Sequence, residues 1–412
     1  MSERPAWHAG EAGRLAVARV VTDLVADEAA RLRPGLAGLP PRPWDEALAL
    51  DERGLGLDSL ERLTTAAALA DALNLRASGL EDLLLAQRCV GGWIDIAQRA
   101  LAVDDSRLIF RTSGSTGDPE PCEHTLAGLL QEVAVLSELL GQRRRVLSFV
   151  PAHHIYGFLF TVLLPWRLGI AVVDLRASAP QSLARHAQPG DLVVTHPMHA
   201  ALLARHAVPL PEDVVGVTST APCPAEVHRA LTRPQRFARL VQVYGSSQTA
   251  GVGWRDDPDA PYALMPFWRR HERDDAKLRR APDDAEVALQ DHLVWQDARR
   301  FVVAGRRDQA VQVGGVNVFP ARIAALLETH PDVAAAAVRR MAPHEGERLK
   351  AFIVPREGAD PDRLARELPA WTDGRLRPAE RPRAWRFGAA LPVNAQGKAC
   401  DWPLEDEAVA AG

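Results

Sequence analysis

LIFRTSGSTGDPE, residues 108–120, sets a cluster of glycines and small hydroxyl residues directly behind the apolar run Leu108, Ile109 and Phe110. Glycines let the backbone approach a ligand closely, and the neighbouring N–H and O–H groups can share the negative charge of phosphate oxygens. Asp118 and not lysine follows Gly117, so this is not the GxxxxGK[ST] loop. Read alone, the stretch equally fits an open turn.

Downstream of the loop, short β-branched runs alternate with helical stretches. VLSFV (146–150), AVVDL (171–175), DLVVT (191–195), VVGVT (214–218) and LVQVY (240–244) are candidate strands, with helices over 125–140 and 225–232. The alternation predicts an α/β sheet whose strands are largely buried on both faces. The Pro-, Asp- and Arg-rich stretch 255–285 reads as a surface excursion, and a smaller α/β unit begins near 309. Upstream the pattern is helical. Residues 12–32 read as an amphipathic helix with Leu15, Val20, Val21, Leu24 and Val25 on one stripe, and further helices follow over 59–75 and 80–100. No strand is expected before about 107, and domain boundaries fall near 103 and 308.

The chain has 412 residues and a formal net charge of −4, so no global basic field favours nucleic acid or an anionic membrane. Cys89, Cys122, Cys223 and Cys400 are scattered without metal-ligand spacing and read as reduced thiols of a cytoplasmic protein. The N-terminal residues lack an apolar signal core, and FLFTVLLPW (158–166) is too short to span a bilayer.

Further segments follow the loop in a fixed order: VPAHHIYGF (150–158), TSTAPCP (218–224), VYGSSQT (243–249), LQDHL (289–293), AGRRDQAVQVGGVNVFPARI (304–323) and LPVNAQGKA (391–399). With the loop, these resemble the motifs of the adenylate-forming superfamily: acyl-CoA synthetases, aryl-acid ligases and adenylation domains. The resemblance implies ATP-dependent activation of a carboxylic acid, aryl or fatty acyl, as acyl-AMP, with Mg²⁺, and transfer of the acyl group to a phosphopantetheine thiol of a carrier domain or CoA. It implies that Thr112, Ser113, Gly114, Ser115, Thr116 and Gly117 cradle phosphates, and that Tyr244, Gly245, Ser246, Ser247 and Gln248 line the nucleotide. Asp291 and Arg306 take the ribose, and His154 and Ala221 border the acid. Asp308 is the hinge, Gly314 and Gly315 border the pantetheine channel, and Lys398 is the catalytic lysine that reaches the carboxylate and α-phosphate. No protein metal site is implied. Physically, charge builds at phosphorus and the bridging oxygens as pyrophosphate leaves, and preorganised donors and a lysine stabilise it.

Each residue also has a plainer reading. His154 fits a packed structural histidine, Asp291 a cap or turn, Arg306 and Lys398 solvated surface charges. Glu120 stands where the superfamily has a lysine, and Gln248 where it has a magnesium-binding glutamate; an amide is the poorer ligand. The segment before the loop is also short. These departures keep open a non-catalytic docking protein on a degenerate adenylation fold.

GLGLDSLERLTTAAALADALNL (54–75) and the helices around it resemble an acyl carrier protein, in which Ser59 would bear phosphopantetheine installed by a phosphopantetheinyl transferase. A helix N-terminus favours the incoming phosphate; Asp58 and Glu61 equally form a capping box with no modification. The resulting expectation is an α/β protein with three parts: a carrier-like helical bundle over 10–102, a shortened adenylation core over 103–308, and a small mobile C-terminal domain over 309–412. A plain acyl-CoA ligase whose N-terminal helices are only structural is the alternative.

Overall fold

The computed structural model describes residues 6–33, 39–40, 42–113, 119–307, 310–342, 344–392 and 400–404. The chain divides into two compact units, one of Met1–Thr112 with Pro119–Gly305 and one centred on Arg306–Gly412.

In the first unit, helices α1 (Gly10–Leu32), α2 (Ser59–Ala72), α3 (Leu83–Ala86) and α4 (Val90–Val103) precede a hairpin of β1 (Arg107–Ser113) and β2 (Pro119–Thr125). Helix α5 (Leu126–Leu140) leads into a nine-stranded sheet. Its strands are β3 (Arg145–Ser148), β4 (Ala171–Asp174), β5 (Leu192–Thr195), β6 (Val215–Thr218), β7 (Arg239–Ser246), β8 (Ala250–Arg255), β9 (Tyr262–Leu264), β13 (Asp291–Trp295) and β14 (Arg300–Arg306). Their order is β13-β14-β9-β8-β7-β6-β5-β3-β4. From β4 to β7 the pairing is parallel, and β8, β9 and β14 continue it antiparallel.

Successive residues of a strand point to opposite faces, and the two cores follow that rule. Val146, Val194 and Val241 enter the core shared with α1, α2, α4 and α5. Leu147, Val193 and Leu240 enter the other, under α8 (Leu183–His186), α9 (Pro197–Arg205) and α10 (Ala225–Leu231). The N-terminal helices therefore belong to the same hydrophobic core as the sheet.

Two details differ from the sequence reading. Leu15 is 58% exposed; the buried stripe of α1 runs through Val17, Val20, Val21, Leu24 and Val25. Leu15 precedes Val17 by two residues, about 200° around a helix of 3.6 residues per turn, which places it on the far side. Residues 255–285 are not a surface excursion. They carry β9 and then β10 (Trp268–Arg270) and β11 (Lys277–Arg280), which join β12 (Ala285–Ala288) in an antiparallel sheet over buried Phe267, Trp268 and Leu278. Composition misled here because arginine covers apolar surface: the Arg280 guanidinium lies 4.5 Å from the Phe267 ring centroid and 5.1 Å from that of Trp268.

Helices α6 (Ile155–Phe158) and α7 (Leu164–Leu168) are joined by a π-helical turn, Leu159–Leu163, and most of this stretch is buried. The apolar run at 158–166 is thus a core helix. Among the described residues, no helix is long and apolar enough to cross a membrane.

The second unit comprises a hairpin of β15 (Val311–Val313) and β16 (Val316–Val318), α11 (Pro320–Leu327), α12 (Pro361–Asp373) and a sheet of β17 (Val333–Arg340), β18 (Leu349–Pro355) and β19 (Pro382–Phe387). It has its own core, built from Val313, Val318, Ile323, Leu349, Ile353 and Leu364 among others. Buried Lys350 ties its C-terminal segment down, with Nζ 2.7 Å from Glu345 Oε2 and 2.6 Å from the Trp402 carbonyl.

Tyr156 of α6 directs its hydroxyl at the carbonyls of Thr195 (2.9 Å) and Val217 (3.1 Å), on β5 and β6. Tyr156→Phe leaves those buried acceptors without this donor. It is expected to cost about 1–2 kcal/mol, read as a lower thermal midpoint with unchanged circular dichroism. An unaltered midpoint would show that the bond contributes nothing.

Candidate active site

In open α/β sheets, ligands bind outside the carboxyl ends of the strands, where the strand order reverses. Here β3 lies between β4 and β5, so the order turns at β3. PAHHIYGF leaves the end of β3, His196 follows β5, TSTAPCP leaves β6, and Tyr244–Thr249 closes β7 onto β8. Three of the segments singled out from sequence are thereby gathered along one edge of the sheet.

The turn after β7 is tied on several sides. Tyr244 Oη donates to Asp291 Oδ2 at 2.8 Å, joining this strand to β13; Asp291 is buried and Tyr244 half-buried. The Tyr244 ring lies 5.7 Å from that of Tyr262 and 5.5 Å from that of Phe301. Ser219 Oγ donates to the Val243 carbonyl at 2.8 Å, fixing the exit of β6 against β7. Within the turn, the Thr249 hydroxyl accepts from the Ser246 amide at 3.1 Å, and the Ser246 hydroxyl accepts from the Thr249 amide at 3.2 Å.

His124, on the strand that follows the small-residue loop, completes the arrangement. Its Nε2 lies 2.6 Å from the Ser247 carbonyl. Burial lowers its pKa, and a carbonyl only accepts, so the imidazole is neutral with its proton on Nε2. The loop-bearing hairpin is thus bonded to the Tyr244–Thr249 turn. The sequence reading missed His124; its signal was a histidine two residues from Cys122 on a strand whose alternate positions are buried.

Behind the turn, the fully buried Glu132 of α5 accepts the Gly251 N–H at 3.0 Å on both oxygens. Desolvation pushes its carboxyl up to about 7, against the pull of Arg280. Gly251 pairs with Gly245 across β7 and β8.

At the end of β6, Thr220 holds φ +79°, a left-handed conformation costly for a β-branched residue, with half-buried Ala221 following it. At the end of β3, His154 is solvent-exposed yet ringed by protein, and its ring centroid lies 4.0 Å from that of His153. Desolvation by the surrounding protein, with repulsion from His153, lowers its pKa and favours the neutral imidazole.

The remaining predicted residues divide. Thr112 and Ser113 end β1, and Arg306 ends β14, half-buried. Gly114, Ser115, Thr116, Gly117, Asp308 and Lys398 lie outside the described residues. Gly314 and Gly315, at φ +60° and +83°, form the two-residue turn of the β15–β16 hairpin, a backbone that glycine suits. Gln248 is half-buried and Glu120 exposed. Ser59 is exposed at the start of α2, where Asp58 and Glu61 form a complete capping box.

Among the described residues, no group of three or more His, Cys, Asp or Glu side chains could hold a metal ion. Two open hollows, of about 300 Å³ beside His228 and Arg239 and about 540 Å³ beside Arg107 and Thr125, include none of these site residues.

The AMP-binding enzyme model matches residues 44–269, and the AMP-binding enzyme C-terminal domain model matches 322–398. A 4-coumarate–CoA ligase of Rhodobacter capsulatus is 40% identical over 94% of this chain and 100% of its own length. One of Halorhodospira halophila is 39% identical over 93% of this chain and 97% of its own. Among solved structures, an amide bond synthetase from Marinactinospora thermotolerans aligns with TM-score 0.63 at 18% identity, over 95% of this chain and 93% of that one. An o-succinylbenzoate CoA synthetase variant from Bacillus subtilis aligns with TM-score 0.62 at 18% identity, over 94% and 92%. These structures show the fold, and the two 4-coumarate–CoA ligases are matched over nearly their whole length. By the extent of the sequence matches, the chain belongs to the AMP-binding enzyme family.

Proposed function

We propose that this enzyme is a CoA ligase for a 4-hydroxylated phenylpropenoic acid, 4-coumarate in the first instance. The carboxylate oxygen attacks the α-phosphorus of ATP, and pyrophosphate leaves. The CoA sulfur then attacks the acyl carbonyl, and AMP leaves. The observation that carries the reading is the end-to-end match, at 40% identity, with a ligase named for that acid.

In this reading Thr112–Gly117 cradles the phosphates and Lys398 supplies charge at the reacting oxygen. The Tyr244–Asp291 pair presents a carboxylate for the ribose, Arg306 is a further ribose ligand, and His124 holds Ser247 in place. His154 and Ala221 border the acid, Asp308 is the hinge, and Gly314–Gly315 flanks the pantetheine. Mg²⁺ would be held chiefly by the ATP phosphates, whose charge it would neutralise, with the Gln248 amide standing where the superfamily has a carboxylate. The four free cysteines suit a reducing cytoplasm.

CoA is favoured over a carrier arm as acceptor. A swinging carrier needs its own core, whereas α1, α2 and α4 share the core of the sheet. The AMP-binding match also begins at residue 44 and runs through Ser59. Incubated with CoA and a phosphopantetheinyl transferase, the protein is expected to keep its intact mass, and Ser59→Ala to ligate CoA at the wild-type rate. A mass gain of one phosphopantetheine at Ser59 would restore the carrier reading.

Pyrophosphate exchange into ATP is expected to require an acid, with 4-coumarate giving the highest kcat/KM of a panel of aryl and fatty acids. Lys398→Ala is expected to lower that exchange by about 100-fold or more. Exchange with no acid of the panel would reject the ligase reading, and full activity of Lys398→Ala would reject the lysine's role.

Asp291→Ala is expected to raise the ATP KM by about 10- to 100-fold, the worth of a hydrogen bond to a charged group, while the KM for the acid stays near wild type. An unchanged ATP KM would remove Asp291 from the nucleotide site.

A further inference from the structure

Helix α1 carries a polar stripe that no motif marks. Arg19, Asp23 and Asp27 are spaced four residues apart and so lie on one face, one turn above another. All three reach the segment that leaves β3. Asp23 Oδ2 accepts the Ala152 N–H at 2.6 Å, Asp27 Oδ2 lies 3.7 Å from His153 Nε2, and Arg19 donates to the Thr161 carbonyl at 3.0 Å. Just before the helix, Trp7 meets Phe158 edge-on, with centroids 5.3 Å apart.

Asp23 is the centre of this contact. Its side chain is 1% exposed, and its other oxygen pairs with Arg42 and, at 2.7 Å, with Arg176, which Asp174 holds in turn. A charge this deeply buried is tolerated only where partners satisfy it. The partner that is not an arginine is the backbone amide two residues before His154. Arg42 and Arg176 pair with Asp23, and Arg19 feels its charge together with that of Asp174.

We infer that Asp23 is a positioning residue of the acid site: by holding Ala152 it sets the seat of His153 and His154, so the N-terminal helix tunes recognition of the acid without touching it. The inference rests on the proposed reading in which His154 borders the acid. It gives the first helix a task beyond covering the sheet.

The test compares Asp23→Ala, Asp23→Asn and Asp27→Asn by pyrophosphate exchange, with hydrogen–deuterium exchange of the same proteins. Asp23→Ala is expected to raise the KM for 4-coumarate by about tenfold or more, since small displacements of a positioned group cost up to about 100-fold, with the ATP KM within about twofold of wild type. Asp23→Asn keeps an acceptor for the Ala152 N–H and should recover much of the acid KM even where its thermal midpoint falls as far. Asp27 is 55% exposed, so Asp27→Asn should fold normally; a few-fold rise in acid KM alone is expected. Amides of 152–158 should exchange faster in Asp23→Ala, and those of 243–249 should not. Equal rises in both KM values, an acid KM unmoved in all three variants, or unchanged protection at 152–158 would overturn the inference. If the wild type exchanges with no acid, the ligase reading fails, and the amide protection alone decides whether Asp23 holds the segment.

Discussion

Parallel strands with apolar residues on both faces must be covered on both sides, and this constraint organises the first unit. Strands β3, β5, β6 and β7 alternate Val and Leu between two cores. One core is closed by α8, α9 and α10. The other is closed by α5 and by the N-terminal helices α1, α2 and α4. Covering a sheet on both faces leaves its strand ends as the open edge, where loops from non-adjacent parts of the chain converge. The site follows from that geometry.

The convergence is made specific by a small number of polar ties. Tyr244 is bonded to Asp291, Ser219 to Val243, His124 to Ser247, and Glu132 to Gly251. Each joins segments far apart in sequence, and each uses a buried or half-buried group whose loss leaves an unpaired partner in a poorly solvated place. The price is a neutral histidine and a carboxyl held near neutrality: burial depresses His124 and raises Glu132. A neutral imidazole orients its partner without adding charge, which suits the proposed site for a triphosphate and a carboxylate. Strain at Thr220, beside Ala221, belongs to the same edge.

Much of this was legible in the sequence, for physical reasons. Strands β3, β5, β6 and β7 were readable because β-branched runs of four or five residues, flanked by turn residues, have few other uses. Asp291 and Tyr244 stood in separate motifs, and the structure bonds them to each other. Other features were hidden. Residues 255–285 looked polar because Arg280 lies over Phe267 and Trp268 and masks the apolar surface beneath. Leu15 looked like a core residue until the helix phase was fixed by Val17 and Val21. That the N-terminal helices share the core of the sheet was also hidden, because helical periodicity reports that a face is buried and not what buries it. Asp23 and Glu132 carried no signal: a single acid on an amphipathic helix looks solvated unless its partner, a distant backbone amide, is known.

The central claim is that the acid becomes covalently joined to AMP before any thiol is involved. A single-turnover quench with stoichiometric enzyme, ATP and 4-coumarate, analysed by mass spectrometry in the absence of CoA, tests it directly. The account predicts one equivalent or less of enzyme-bound 4-coumaroyl-AMP, which disappears as 4-coumaroyl-CoA forms when CoA is added. Formation of 4-coumaroyl-CoA with no adenylate in the quench, or ADP in place of AMP as product, would contradict it.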